Sequence, residues 1–183
     1  MKQTHHNVHA VYDGLFNTAS GGTISLIEPL LETITIGDIA CGLSKVCRFG
    51  GQIKDFYSVA QHSVLVCMLA PDDLKFEALM HDAAEAYLGD VIKPLKVMLG
   101  SSYTDIESRY MAVISKKYKL CPDKLASIKL FDKIALDMEH DYLQKGNSAN
   151  WVKFWKQTTP ANYTWMPKKA EEIFNAQYLK YRY

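Results

Sequence analysis

The spacing of hydrophobic residues changes at Ile36. Up to about residue 35, polar and apolar residues are mixed, and a turn-rich stretch at Thr18–Thr23 with alternating Thr and Ile near 33–36 predicts a short β-hairpin. Beyond Ile36, apolar residues recur every three or four positions, which is the pattern of amphipathic helices. We predict helices over about 36–47, 58–70, 72–88, 101–119, 122–145 and 167–181, punctuated by Gly and Pro.

A chain with this pattern is expected to form one all-α domain. It has 183 residues, of which 48% are hydrophobic, enough for a core without disulfides or structural metals. We take residues 1–183 as a single domain, a helical bundle with an irregular segment at 1–35. The segment 146–166 is predicted to be a long loop, but it carries Trp151, Trp155 and Trp165 and is therefore expected to pack against the core.

Charge, hydropathy and cysteine usage indicate which kind of partner and which cellular compartment to expect. The 21 basic and 20 acidic residues are scattered, with no basic stripe of the kind that binds a nucleic-acid polymer. We expect a small-molecule partner. No segment approaches the roughly 18 apolar residues of a membrane span, and the four cysteines form no CxxC pair. We therefore expect a cytoplasmic protein with no membrane partner.

The segment ALMHDAAEAYLGD, Ala78–Asp90, places three polar residues in an Ala-rich helical pattern. At 100° per residue, His81, Asp82 and Glu85 fall on the arc opposite the apolar stripe of that helix. This arrangement alone is typical of a solvated helix face, so its meaning depends on what other helices bring to it.

Two other predicted helices show the opposite feature, a polar residue on an apolar stripe. His62 shares a helix side with leucine and valine, and a core histidine bonded to a carbonyl would account for it. Asp132 also lies among apolar positions, where a desolvated carboxylate needs a cation or strong donor. One shared divalent ion explains all of these features at once. Two imidazoles and two carboxylates suit Mn, Fe, Co, Ni or Zn, and the set comprises His62, His81, Asp82 and Asp132.

These residues, followed by Asp90 after Gly89, stand in an order that resembles the HD-domain phosphohydrolase superfamily. The segment HDAAEAYLGDVIKPLK is similar to bacterial 5′-deoxynucleotidases. CRFGG followed by FYSVAQHS resembles phage and bacterial HD hydrolases, a group that includes phage dATP triphosphohydrolases. The likeness extends over roughly residues 36–143. It implies an all-helical fold and, by analogy with enzymes of this size, a homo-oligomer.

The resemblance also implies roles for the polar residues. The metal ligands would be His62, His81, Asp82 and Asp132, as the helix pattern also indicates. The catalytic residues would be Glu85, as acid and base, and Asp82. Asp90 would contact the sugar near its 3′-hydroxyl. A second divalent ion such as Mg²⁺, bridging Glu85, Asp82 and the phosphates, is left open.

Substrate contacts follow from the same resemblance and from phosphate chemistry. Arg48 matches an arginine of the family, and a guanidinium binds phosphate oxygens bidentately. Lys96 and Lys129 are further candidates for phosphate contact, with ordinary surface lysines as the alternative. Phe49 is placed to stack on the base, with Pro94 on the other side of the slot; a core aromatic is the alternative for Phe49.

Three functions remain open at this point. The first is a dNTP triphosphohydrolase that prefers dATP and releases deoxynucleoside and triphosphate, after attack on the α-phosphorus by a water that the ion activates. The second is a 5′-deoxynucleotidase that converts dNMPs to deoxynucleoside and phosphate. The third, from another class, is a non-catalytic nucleotide-binding or metal-stabilised helical module. Either enzyme would act in a bacterial or phage-infected cytoplasm.

Overall fold

A small β-hairpin precedes the helices. The computed structural model describes residues 14–147, 149–155 and 164–182, so the first part of the N-terminal segment and much of the Trp-rich segment fall outside it. Strand β1, Leu15–Asn17, pairs antiparallel with β2, Thr23–Ser25, around the expected turn. The Thr and Ile alternation near 33–36 is not a strand. Thr35 instead caps the first helix, where its hydroxyl accepts a hydrogen bond from the N–H of Asp38.

The rest of the described chain is predominantly helical, which confirms the all-α prediction. None of these helices is both long and apolar enough to cross a membrane. Short 3₁₀ turns occur at Leu31–Thr33, Phe49–Gly51 and Asp72–Leu74. The α-helices are α1 Ile36–Lys45, α2 Val59–Leu69, α3 Lys75–Met80, α4 Glu85–Leu88, α5 Lys93–Leu99, α6 Ser101–Tyr118, α7 Pro122–Ser127, α8 Lys129–Glu139, α9 Ala149–Trp155 and α10 Pro167–Tyr181.

Two predicted helices are interrupted. The segment 72–88 divides into a 3₁₀ turn, α3, a tight turn and α4, because the backbone N–H groups of Ala83 and Glu85 bond three residues back rather than four. The segment 122–145 divides into α7, α8 and a π-helical turn at His140–Gln144. The first interruption lies at the His-Asp pair, so these side chains project from a turn rather than from a continuous helix.

Two helices were not predicted. Helix α5 begins with Pro94 in its first turn and lies between Gly89 and Gly100, which both adopt positive φ. It has no fully buried residue, so the apolar residues of this segment do not follow the period of a buried helix face and did not predict a helix. Helix α9 lies inside the predicted Trp-rich loop.

Helix α2 occupies the centre of the fold. Residues 59–67 are all buried, and the helix packs against α1, α3, α8 and α10. Trp151, Trp155 and Trp165 are buried as expected. The backbone N–H of Trp165 donates to the amide oxygen of Gln61 on α2 at 2.8 Å, which ties the Trp-rich segment to the central helix.

Helices α1 and α4 approach each other closely at Gly42. A Cβ atom at this position would lie 2.5 Å from the carbonyl oxygen of Ala86. Two small residues therefore allow the two backbones to touch, and this contact positions α4, which begins with Glu85.

Candidate metal centre and adjoining cleft

Three of the predicted ligands come together from three elements. His62 lies on α2, His81 follows α3 directly, and Asp132 is in the first turn of α8. One potential ligand atom from each lies within 4.8 Å of the others. His62 is fully buried, while His81 and Asp132 are partly accessible, so an ion held here would be anchored by the core and open on one side.

Both imidazole rings are oriented by their Nδ1 atoms. Nδ1 of His81 lies 2.8 Å from the carbonyl oxygen of Ala78, which can only accept, so this nitrogen carries the proton. Nδ1 of His62 lies 2.6 Å from Oε1 of Glu139, which also accepts. In a neutral ring, Nε2 then carries the lone pair, which is the tautomer that metal ligation requires.

The surroundings of the two Nε2 atoms show whether the site suits a cation. Both are buried and lack a hydrogen bond of acceptable geometry to any described residue. The nearest carboxylate oxygens are those of Asp132, 3.2 Å from Nε2 of His62, and Asp82, 3.2 Å from Nε2 of His81. Buried nitrogens without partners, facing carboxylates, are the donor set of a divalent metal site. The cluster could therefore hold a metal ion.

Asp82 faces both histidines. Its Oδ2 is 3.4 Å from Nε2 of His62 and 3.2 Å from Nε2 of His81, and it lies 3.8 Å from Nη1 of Arg48. Burial alone raises the pKa of Asp82, but His81, His62 and Arg48 outweigh it and hold the pKa far below its usual range. Asp82 is therefore ionised and in position to complete the predicted four-residue set.

The protonation of His81 reflects the same negative surroundings. Burial lowers the pKa of the imidazole, but the carboxylates of Asp82 and Asp132 and the bond to Ala78 raise it to about 9. A pocket that binds one proton this tightly has a strong preference for positive charge.

Glu139 was not predicted to belong to the site. Its side chain is fully buried and accepts from Nδ1 of His62, from the Tyr57 hydroxyl at 2.8 Å and from Nε of Arg48 at 3.1 Å. Burial alone would raise the pKa of Glu139, but the charges of Arg48 and His62 outweigh burial and lower the pKa below its usual value, so Glu139 is charged. It follows Asp132 by seven residues, two turns along α8, and this spacing was the available signal.

Glu85 lies beside the cluster and is almost fully buried. Oε1 is 3.3 Å from Nζ of Lys96, while Oε2 is buried with no hydrogen-bond partner among the described residues. Burial, with the charges of Asp82 and Asp90, raises the pKa of Glu85 to about 9 despite the opposing effect of Lys96. Such a carboxyl carries a proton at neutral pH.

A cleft of about 440 Å³ opens in front of these residues. Eight predicted site residues line it together, namely Arg48, Phe49, Asp82, Glu85, Asp90, Pro94, Lys96 and Asp132. The wall also includes Lys93 and the apolar Val91, Ile92 and Leu136. Phe49 adopts an unusual left-handed backbone, φ 58°, so its ring is held here at the expense of local strain.

Two expectations about individual residues were wrong or incomplete. Asp132 was expected to be a desolvated carboxylate among apolar residues, but its side chain is 43% exposed. The reason is that α8 lies at the mouth of the cleft, with Leu136 exposed beside Asp132. Lys129 is exposed and is not among the residues that line the cleft, although it starts the same helix one turn earlier.

Two of the three cations that line the cleft already have partners. Arg48 binds Glu139, and its guanidinium lies 5.7 Å from the centroid of the Phe49 ring. Nζ of Lys96 contacts Glu85 and, at 2.7 Å, Oε1 of Glu107, a residue that was not predicted. Lys93 is exposed at the rim.

Comparisons with known proteins give two relatives. The chain is 45% identical over 120 residues to the uncharacterized protein YfdR of Escherichia coli, covering 66% of this chain and 67% of that protein. It is 36% identical over 138 residues to the uncharacterized protein RCAP_rcc00048 of Rhodobacter capsulatus, covering 68% of this chain and 70% of that protein. No family model matches the chain.

Proposed function

This chain belongs to one family with YfdR and RCAP_rcc00048, and we propose that it is a metal-dependent phosphohydrolase of 2′-deoxynucleotides. The observation that carries the proposal is the pair of buried Nε2 atoms of His62 and His81, which lack hydrogen-bond partners in the described chain and face Asp82 and Asp132. The resemblance of the same residues to HD-domain phosphohydrolases supports this choice of chemistry.

His62, His81, Asp82 and Asp132 would hold a divalent transition ion, Zn, Co, Mn, Fe or Ni, with an additional Mg²⁺ left open. When bound, the ion supplies Lewis-acid polarisation of a phosphoryl oxygen and lowers the pKa of a coordinated water. The protein fixes both imidazoles through Ala78 and Glu139, so the donor geometry exists before substrate arrives.

Glu85 is the proton carrier of the proposed reaction. Its protonated carboxyl points from a buried position into the cleft, next to Asp82. A buried acid with a raised pKa can donate a proton to the leaving 5′-oxygen of a nucleoside and recover one from the attacking water. Asp82 contributes the negative charge that keeps this proton on Glu85.

Arg48, Lys93 and Lys96 form the phosphate side of the cleft. Their guanidinium and ammonium groups would meet the negative charge of phosphoryl oxygens. Phe49 and Pro94 line the same cleft and would enclose the base, while Asp90 would contact the sugar. Lys129 stays outside the proposed set because it does not line the cleft.

Two substrate classes fit this arrangement. Three cations along one cleft favour a dNTP, preferably dATP, hydrolysed to deoxynucleoside and triphosphate. Arg48 and Lys96 are already paired with carboxylates, so among the described lining residues Lys93 is the one cation without a carboxylate partner. A single unpaired cation favours the second class, a dNMP, which carries one phosphate.

Incubation with single nucleotides tests the proposal. Metal-supplemented protein is mixed with each dNMP, dNTP and ribonucleotide, and orthophosphate, pyrophosphate and triphosphate are separated. Triphosphate from dATP supports the first class, and orthophosphate from dNMPs supports the second. No product with any of the five metals would leave a non-catalytic binding module as the better account.

A further inference from the structure

A second cavity, larger than the metal cleft, lies at the other end of α3. It has a volume of about 490 Å³. The beginning of α3, the end of α6, the start of α7 and the end of α10 form its walls. None of its lining residues also lines the metal cleft.

One wall of this cavity is aromatic. The ring of Tyr178 lies between those of Phe76, at a centroid distance of 5.9 Å, and Tyr118, at 6.0 Å. All three are only partly buried, so part of each ring faces the cavity. The guanidinium of Arg182 stands 5.8 Å from the Tyr178 centroid. This wall offers ring faces on which a flat ligand can stack.

The cavity also has an excess of positive charge. Its cations are Lys117, Lys119, Lys124 and Arg182, and three carboxylates oppose them. One carboxylate, Asp72, is paired with Lys75 outside the cavity at 3.2 Å. Lys117 and Lys124 donate to the backbone carbonyls of Leu31 and Asp73, which are neutral, so these hydrogen bonds leave their charges uncompensated.

Lys119 is held in the cavity wall by an unfavourable backbone. It ends α6 in the left-handed conformation, φ 56° and ψ 39°, which normally selects glycine. Its ammonium has no ion-pair or hydrogen-bond partner in the part of the chain that the structure describes. The backbone N–H of Leu120 bonds to the carbonyl oxygen of Ser115, so this conformation caps α6 and leaves the unpaired ammonium of Lys119 at the cavity, available to an anion.

We propose that this cavity binds a small anion that carries an aromatic ring, such as a nucleotide. The ring stacks on the wall around Tyr178, and the phosphates contact the ammonium groups of Lys119, Lys117 and Lys124. This site is separate from the metal cleft, and its existence does not depend on the proposed hydrolysis.

Calorimetric titration with ATP tests the proposal on the full chain. The Asp132→Ala variant, whose metal centre is incomplete, is expected to retain one ATP site. In that background, Lys119→Glu is expected to weaken ATP binding about tenfold. The matched control is Lys116→Glu, an exposed lysine on the same helix that does not line the cavity, with an expected change of about twofold or less.

A glycine variant separates ligand binding from folding. Lys119→Gly relieves the backbone strain and removes the ammonium, so the variant is expected to unfold at a higher temperature and yet bind ATP about tenfold more weakly. Tripolyphosphate, which lacks the ring, and adenosine, which lacks phosphate, are each expected to bind at least about tenfold more weakly than ATP.

Four results would overturn the proposal. They are loss of ATP binding in Asp132→Ala, equal affinities of Lys119→Glu and Lys116→Glu, unchanged ATP affinity in Lys119→Gly, and tripolyphosphate or adenosine binding as tightly as ATP. None of these results bears on whether the metal cleft hydrolyses nucleotides, because phosphate release is measured separately.

Discussion

Nδ1 of His62 lies 2.6 Å from Oε1 of Glu139, although 77 residues separate them in the chain. The contact joins the centre of α2 to the end of α8, and both side chains are fully buried. It fixes the orientation of the His62 ring and leaves Nε2 facing Asp82 and Asp132. Glu139 thus holds the histidine in the orientation that metal binding would require.

Glu139→Gln is predicted to weaken metal binding about 10- to 100-fold, because the neutral amide no longer orients and polarises His62 as a carboxylate does. The variant should also unfold at a lower temperature, since the buried Arg48 loses its charged partner. The dissociation constant of Zn²⁺ is measured by competition with a chromophoric chelator.

Asp137→Asn is the matched control for Glu139. This carboxylate lies on the same helix but is exposed and paired with Lys133. Its loss should leave the Zn²⁺ dissociation constant within about twofold. Equal Zn²⁺ affinities of Glu139→Gln and the unaltered protein would show that Glu139 has no role in the metal centre.

Metal affinity is predicted to depend steeply on pH. The pKa of His81, raised to about 9, means that a proton occupies the imidazole at neutral pH and competes with the ion. Below this pKa, the apparent affinity should fall about tenfold for each pH unit. In Asp82→Asn the carboxylate that retains this proton is neutral, so the dependence should be shallower. A pH-independent affinity between pH 6 and 8 would contradict this prediction.

Glu85 is predicted to destabilise the metal-free fold as the pH rises. Its pKa is about 9 in the folded chain against an ordinary value of 4.5, so the folded state binds the additional proton between these limits and loses stability with increasing pH. Glu85→Gln removes this loss. The Tm of Glu85→Gln should exceed that of the unaltered protein by an amount that grows from pH 5 to pH 9. The growth is about 2 to 4 °C for each kcal/mol of stability that the unaltered protein loses as Glu85 ionises.

Thermal unfolding in the presence of a chelator provides this comparison. Glu32→Gln, at an exposed position, is the control and should show a Tm difference that is the same at both pH values. A Glu85→Gln advantage that does not change between pH 5 and pH 9 would mean that the buried carboxyl has an ordinary affinity for its proton.

The contact of α1 with α4 is predicted to tolerate no side chain at Gly42. Gly42→Ala would place a methyl group 2.5 Å from the carbonyl oxygen of Ala86 and should destabilise the protein by about 1 to 3 kcal/mol. Gly37→Ala on the same helix meets nothing closer than Oγ1 of Thr35 at 3.9 Å and should be neutral or slightly stabilising. Urea unfolding measures both, and equal midpoints would refute the close approach.

The candidate metal residues could be predicted because His62 and Asp132 are polar residues on apolar helix stripes and need a partner, which the polar arc of His81 and Asp82 can supply. His62 stands on an apolar helix face, and the His81-Asp82 pair stands in an Ala-rich segment. Glu139 does not stand out in this way, because a glutamate near the end of an amphipathic helix looks solvated, and its only sequence signal was the seven-residue spacing from Asp132. Its role depends on α2, α8 and the Arg48 segment meeting in space.

Helix boundaries were predicted where Gly or Pro marks them, as at Pro167. The interruption at His81 was missed because periodicity does not distinguish hydrogen bonds to the third residue from those to the fourth. Helix α5 was missed because its apolar residues are exposed and thus follow no buried stripe.

Metal content of the purified chain is the most direct test of the proposed centre. Mass spectrometry of the protein after dialysis against Zn²⁺ and removal of free ion should give about one ion per chain, and about none for Asp132→Ala, which lacks a carboxylate ligand. Hydrolysis of the preferred nucleotide should disappear with the ion. Equal metal contents in the two proteins, or no bound ion in either, would contradict the assignment of His62, His81 and Asp132 as a metal site.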